Sequence, residues 1–213
     1  WAGFVVSGGH YNWAVTITIA ALKKMPMGTA GCYLIAQTLG SFLGAFLIDW
    51  NTPPAFDALT LTKVGCPTIN PEYGEIVAFF CEFMATGFYM YVVIAFNFDV
   101  RLSKAFYGIS AGGATMAGIL SIGAISGSSL NPVRVVGPVI VALITGNKYL
   151  AENLHQYWVY VLGPIFGAIL VGFYYEYFVV VTIAEEAELM EKPLDDSLMA
   201  EDAAIPLQTL NHN

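Results

Sequence analysis

Charge is what this sequence has least of. Only 11% of its 213 residues are Asp, Glu, Lys or Arg, where a soluble domain carries about 25%. A chain this poor in charge and 57% hydrophobic cannot cover a water-facing surface, so the composition points to a polytopic membrane protein. Bases are scarcer than acids, eight against sixteen. Eight of the acids follow Ile183 against one base, Lys192, and the rest of the chain is near neutral with eight acids and seven bases. No basic patch is offered to phosphates, which excludes nucleic-acid binding. Cysteine is also rare. Cys32, Cys66 and Cys81 show no C-x-x-C spacing and make no case for a metal or a disulfide. Cys32 and Cys81 are expected to be small buried packing residues. No cofactor is implied. The sequence does not begin with Met, and no signal peptide is expected in it. The chain opens at Trp1 in what reads as the end of an apolar segment, WAGFVV, and is expected to be N-terminally incomplete.

Between two long apolar runs lies SGSSLNPVRV, residues 126–135. A Gly/Ser turn leads into Asn131, a preferred helix cap, and Pro132, which suits the first helical position. Arg134 follows in the first turn. A cation at the positive end of a helix is unfavourable, and an Arg at membrane depth costs about 3 kcal/mol and usually faces a water-filled cavity. This placement points to a pore lining. The frame recurs in SGGHYNWAV, residues 7–15, with Asn12 standing 119 positions before Asn131. Gly40, Gly44 and Ala45 recur as Gly163, Gly167 and Ala168, 123 positions later. Two matches in the same order mark an internal duplication.

Apolar runs over 29–48, 76–98, 105–125 and 156–183 are long enough to span, whereas the helix over 14–22 is not. Three full spans separate the two Asn motifs. That number is odd, so the short helices enter from opposite faces, as an inverted repeat whose broken-helix N-termini meet near the midplane. Lys23, Lys24, Arg101 and Lys104 lie on one side, against Lys63 and Lys148 on the other. The excess places the first motif's entry side and the acidic tail in the cytoplasm. Tyr174, Tyr175 and Tyr177 read as an interfacial aromatic belt. The expected organisation is a transmembrane domain over 1–183 and an acidic tail over 184–213, with a short helix over 184–192 and Ser197 as a possible phosphosite. Which membrane houses the chain is not legible.

Two opposed Asn-capped half-helices present free N–H groups and amide donors to a passing oxygen. Water or a small neutral solute binds there, while a cation is repelled by both dipoles. In these residues the chain resembles the aquaporin, or major intrinsic protein, family. SGGHYN-x-A-V and SGSSLNPVR stand where that family has two Asn-Pro-Ala boxes, and the resemblance runs over about residues 7–180. It includes Ala36-Gln37 with Gly40, Glu82 with Thr86, Asp99, and Trp158-Val159 with Gly163-Pro164. The resemblance implies an all-α inverted repeat with two re-entrant half-helices, whose first span and most of the second are absent here. It implies a non-enzymatic channel, usually a homotetramer with one pore per subunit. By resemblance Arg134 is the constriction Arg, Ser128 its loop neighbour and Ile119 the constriction residue of the preceding span; the fourth such residue falls before Trp1. Ile119 replaces the His of strict water channels and is similar to vacuolar-type plant members, which implies a filter admitting ammonia or urea. Val135 stands where the glycerol-channel pattern has Asp.

The boxes depart from the family: Trp13 with Ala14 in the first, Pro132 with Val133 in the second. Trp13 replaces a Pro and restores an N–H that needs a partner. Its indole is expected to pack on Pro132, burying on the order of 200 Å². His10 counts with the pore lining, beside its plainer reading as a buried hydrogen-bonded imidazole. Glu82 reads as a structural acceptor for irregular loop backbone, beside a proton relay. Three functions stay open. They are a passive channel for water and small neutral solutes, a non-conducting structural subunit of a larger membrane assembly, and a secondary transporter. Apart from such solutes, membrane lipid is the partner implied.

Overall fold

The computed structural model describes residues 3–52, 65–99, 101–146, 151–182 and 184. Trp1, Lys63, Lys148, Ser197 and the tail helix expected beyond Ala184 lie outside them. The chain divides into a unit over 1–176 and a second over 177–213, and the architecture below is that of the first. Among the described residues every regular element is helical. The elements are α1 (Phe4–Ser7), α2 (Trp13–Ala21), α3 (Met27–Asn51), α4 (Gly74–Phe98), α5 (Tyr107–Ser126), α6 (Pro132–Ile144) and α7 (Trp158–Tyr174). Short 3₁₀ turns lead into α5 and α7, and a π-helix, Tyr175–Val179, follows α7. At 1.5 Å per residue the 25-residue α3 and α4 exceed the roughly 30 Å of a bilayer core, while α2 has nine residues and α6 thirteen. Three helices long and apolar enough to cross a membrane therefore lie between the two short ones.

The two halves interlock through their glycines. A Cβ on Gly137 of α6 would meet Ser41 of α3 at 2.2 Å, and one on Gly172 of α7 would meet Thr18 of α2 at 2.4 Å. Each short helix thus packs on the long helix of the opposite half. Such close approach needs small residues, since lipid supplies no hydrophobic drive to press helices together. Of the duplicated Gly/Gly/Ala face, Ala45 and Ala168 are both buried, and the glycines differ among the described residues. On α7, a Cβ at Gly167 would lie 2.0 Å from the Phe83 carbonyl oxygen of α4, and one at Gly163 would lie 3.0 Å from Glu82 Cβ. On α3, Gly40 and Gly44 have nothing within 4 Å.

Two expectations are corrected here. Cys32 is exposed on α3 and Cys81 is only half-buried, while Cys66 is the buried thiol. The α3 face that carries Cys32 also carries Gly40 and Gly44, and it is uncovered among the described residues. Cys66 joins a core with Ile69, Val135, Tyr157 and Tyr160, where burial pushes its thiol up to about 12. The other correction concerns the aromatic belt. Tyr174 and Tyr177 are exposed, but Tyr175 is buried and donates to Asp99 Oδ2 at 3.1 Å. It opens the π-helix, whose wider turn breaks the α-helical spacing.

Asp99, just beyond α4, is where several helix ends are tied. Its carboxylate accepts from Arg101 Nη2 at 2.8 Å and Arg101 Nε at 3.0 Å as well as from Tyr175. Beside it Lys24 pairs with Glu176 at 2.9 Å and lies 4.6 Å from the Phe98 ring centroid. The Arg101 bonds hold the Asp99 carboxyl down to about 2.

Two outcomes are expected from thermal unfolding in detergent. Gly167→Ala forces Phe83 backbone aside and should cost about 1–3 kcal/mol, while Gly44→Ala should be neutral or mildly stabilising. Because its folded pKa is depressed, Asp99 contributes stability that is present above about pH 4 and lost as pH falls towards 2. Asp99→Asn should lower the unfolding midpoint at neutral pH and flatten that acid-side slope.

Candidate functional site

The two Asn motifs meet through a reciprocal pair of bonds. Asn12 Nδ2 donates to Leu130 O at 2.8 Å, and Asn131 Nδ2 donates to Tyr11 O at 2.8 Å. Each Asn at the same time caps its own helix. Asn12 Oδ1 accepts from Ala14 N at 2.9 Å, and Asn131 Oδ1 accepts from Val133 N at 3.1 Å. One side chain therefore serves its own helix with its oxygen and the opposite loop with its nitrogen. An Asp in its place would lose the donor, and a Ser would be left with a single one.

Trp13 takes part in the same junction. Its backbone N–H, which a proline would lack, donates to Asn131 Oδ1 at 3.3 Å. The half-buried indole has its Nε1 shielded without a protein acceptor. Ala14, Pro132 and Val133 are buried, so the boxes form a closed contact.

Both loops turn through left-handed backbone. Gly8 and Gly9 have φ of 81° and 63°, and their counterparts Gly127 and Ser128 have 75° and 50°. Glycine adopts this region freely, but Ser128 and Leu130, at 55°, each cost on the order of 1–3 kcal/mol. Fixed partners hold the second loop in place. Ser129 N and Leu130 N each donate to the Glu82 carboxylate at 2.8 Å, and Ser126 Oγ donates to it at 2.7 Å. Tyr160 OH donates to Ser126 O at 2.6 Å. Pro67 and Thr68 close on Gly127, where a Cβ would come within 3.0 Å of Thr68 N. Glu82 is fully buried and receives three donors, which is the work of an acceptor for irregular backbone.

The first loop is held from α3. Gln37 Nε2 donates to His10 O at 2.7 Å and to Thr16 Oγ1 at 3.0 Å, and Tyr33 OH donates to Ser7 O. Ser41 Oγ donates to Val133 O at 2.6 Å, so α3 steadies both boxes. Gln37 entered the sequence reading only as a family match, and neither Ser41 nor Tyr160 was singled out there. Their only signal was polarity inside an apolar run.

A cavity of about 870 Å³ opens beside this junction, lined by His10, Tyr33, Gln37, Ser41, Asn131 and Arg134 among others. Arg134 is exposed in the first turn of α6 and donates from Nη1 to Ser128 O at 3.1 Å. His10 packs 5.4 Å from the Tyr33 ring centroid, with Nδ1 shielded and without a hydrogen-bond partner among the described residues. Asn12 is only 7% exposed and does not line the cavity. Ile119 also does not line it. It lies half-exposed on α5, next to Gly118, whose Cβ would meet Leu130 at 2.7 Å. The structure therefore brings Asn12, Asn131, Ser128 and Arg134 together, and leaves Ile119 one residue from the group that touches Leu130.

Glu82→Gln should be strongly destabilising. It sets an amide NH₂ against loop N–H donors, and hydrogen bonds to a charged group are worth about 1.5–3 kcal/mol each. A thermal midpoint unchanged in this variant would remove Glu82 as the support of the second loop.

The chain is similar to known proteins over most of its length. The family model described as Major intrinsic protein matches residues 2–175. Aquaporin AqpM of Methanothermobacter marburgensis is 37% identical over 174 residues, covering 81% of this chain and 68% of that protein. Aquaporin NIP3-1 of Arabidopsis thaliana is 35% identical over 164 residues, covering 77% of this chain and 48% of that protein. The X-ray structure of the aquaglyceroporin from Plasmodium falciparum matches with a TM-score of 0.74 at 23% identity, over 83% of this chain and 75% of that one, which is a likeness of fold. With its paired Asn-headed half-helices and this match over most of its length, the chain belongs to the major intrinsic protein family.

Proposed function

We propose that the chain forms a passive transmembrane channel for water and small neutral solutes, ammonia and urea among them. The crossed amide pair carries this reading. Each Asn nitrogen has two hydrogens and gives one to the opposite loop carbonyl. The other is left for the oxygen of a passing molecule. Two helix N-termini set head to head repel cations, and Arg134 adds a full positive charge beside them, the device by which such pores exclude ions.

In this reading the path runs from the cavity lined by His10, Asn131 and Arg134 past Asn12, Ser128 and Ile119, which lie outside that cavity, and Ile119 makes the filter less polar than a His would. Trp13, Ala14, Pro132 and Val133 pack the boxes, and Trp13 faces Pro132 without blocking the path. The channel domain covers 1–183 and the acidic tail 184–213, with the tail and the Lys23–Lys24 end in the cytoplasm. The protomer assembles as a homotetramer, and transport is a matter of binding and release without enzymatic chemistry.

Stopped-flow light scattering on proteoliposomes tests this. Water flux should exceed that of empty vesicles severalfold, and Asn131→Ala should remove most of the excess. Ile119→His should lower urea and ammonia flux relative to water. Trp13→Pro should keep water flux, since the hydrogen bond it gives up is the 3.3 Å one to Asn131 Oδ1 and a proline ring refills part of the contact, whereas Trp13→Ala should lower thermal stability. Flux equal to empty vesicles in the parent chain would end the channel reading in favour of a structural subunit. A sharp rise in Trp13→Ala would place the indole in the path.

A further inference from the structure

The turn from α2 to α3 carries a lysine where helices usually carry a glycine. Lys23 has φ of 58°, and its N–H closes on Ala20 O at 2.9 Å while Lys24 N closes on Ile19 O at 3.0 Å. That closing pattern is normally built on a left-handed glycine, and a lysine there is strained. Strain kept at a position that a glycine would relieve asks for a use of the side chain.

The surroundings indicate that use. A cavity of about 570 Å³ opens at the turn, lined by Lys23, Lys24, Met25, Pro26 and Met27. Lys24 is committed to Glu176 and to the Phe98 ring. Among the described residues the acids at this end of the bundle are also taken, Asp99 by Arg101 and Glu176 by Lys24. Lys23 is exposed, and its ammonium meets no carboxylate among the described residues. Among the described residues the free charge at the cavity is therefore positive. Its depth in the membrane follows from α3, an apolar helix of membrane-spanning length that begins at Met27, so the turn sits at headgroup level. Met27 is 74% exposed and extends the cavity along the apolar flank of α3. An anionic head beside an apolar tail is what this surface complements.

We propose that this turn is a binding site for an anionic phospholipid, with its phosphate on the Lys23 ammonium and the start of an acyl chain along Met25 and Met27. The proposal stands apart from the pore, and it survives or fails whatever the permeant.

The test uses the full chain in a neutral detergent, with phosphatidylglycerol or phosphatidylcholine added and retained lipid counted by native mass spectrometry. The parent chain should retain phosphatidylglycerol in preference. Lys23→Gly should weaken that retention about fivefold, the contribution of one lysine near an anionic headgroup. Because Gly relieves the strained φ, its lipid-free unfolding midpoint should equal or exceed the parent's, so the loss is not one of folding. Lys23→Arg should retain the lipid, and so should Lys104→Ala, whose lysine lies in the 3₁₀ turn leading into α5. Equal retention by the parent and Lys23→Gly overturns the site. Equal loss in Lys104→Ala overturns it as diffuse surface charge, and displacement of the lipid by inorganic phosphate at matched concentration overturns it as a free-anion site.

Discussion

The crossed Asn bonds are the constraint on which the remaining architecture depends. Two irregular loops meet inside an apolar bundle, where an unsatisfied backbone group costs several kcal/mol. Asn12 and Asn131 solve this for both loops, because each spends its oxygen on its own helix and its nitrogen on the facing carbonyl. Neither loop can then shift without breaking bonds in the other. The interlocking of α2 with α7 and of α6 with α3 follows, since the long helices must cradle two short ones whose tips are tied together.

The two halves reach that junction by different means. The second loop rests on a carboxylate inserted from α4, and α4 reaches it because Gly163 and Gly167 let the two helices touch. The first loop rests on neutral donors, Gln37 and Tyr33, both from α3. Strain is distributed to match. The first loop takes its left-handed turns on glycines, while the better-supported second loop sustains them at Ser128 and Leu130. Three carboxylate bonds from Glu82 are enough to offset two strained residues.

Much of this was legible in one dimension. Spans expected over 29–48 and 76–98 appear as Met27–Asn51 and Gly74–Phe98, since hydropathy sets length to within a turn. The duplicated Asn motifs were legible because helix-starting chemistry is local, and they are joined as an inverted repeat requires. Local chemistry also raised the question of the Trp13 N–H without answering it. Its acceptor, Asn131 Oδ1, is 118 residues away. Cys32, Cys81 and Tyr175 went astray for a common reason. Composition says what a residue tolerates, but which helix covers it depends on partners elsewhere in the chain.

The sequence by itself determined a polytopic helical membrane chain, its internal duplication, the two capped half-helices and the odd number of spans that opposes them. These follow from hydropathy, cap preference and parity, which need no distances. Only the tertiary structure decided which amide meets which carbonyl, that Glu82 supports the second loop while Gln37 supports the first, and that Gly163 and Gly167 close on α4. Those outcomes depend on approaches of a few ångströms between residues tens to more than a hundred positions apart, and no local pattern encodes them.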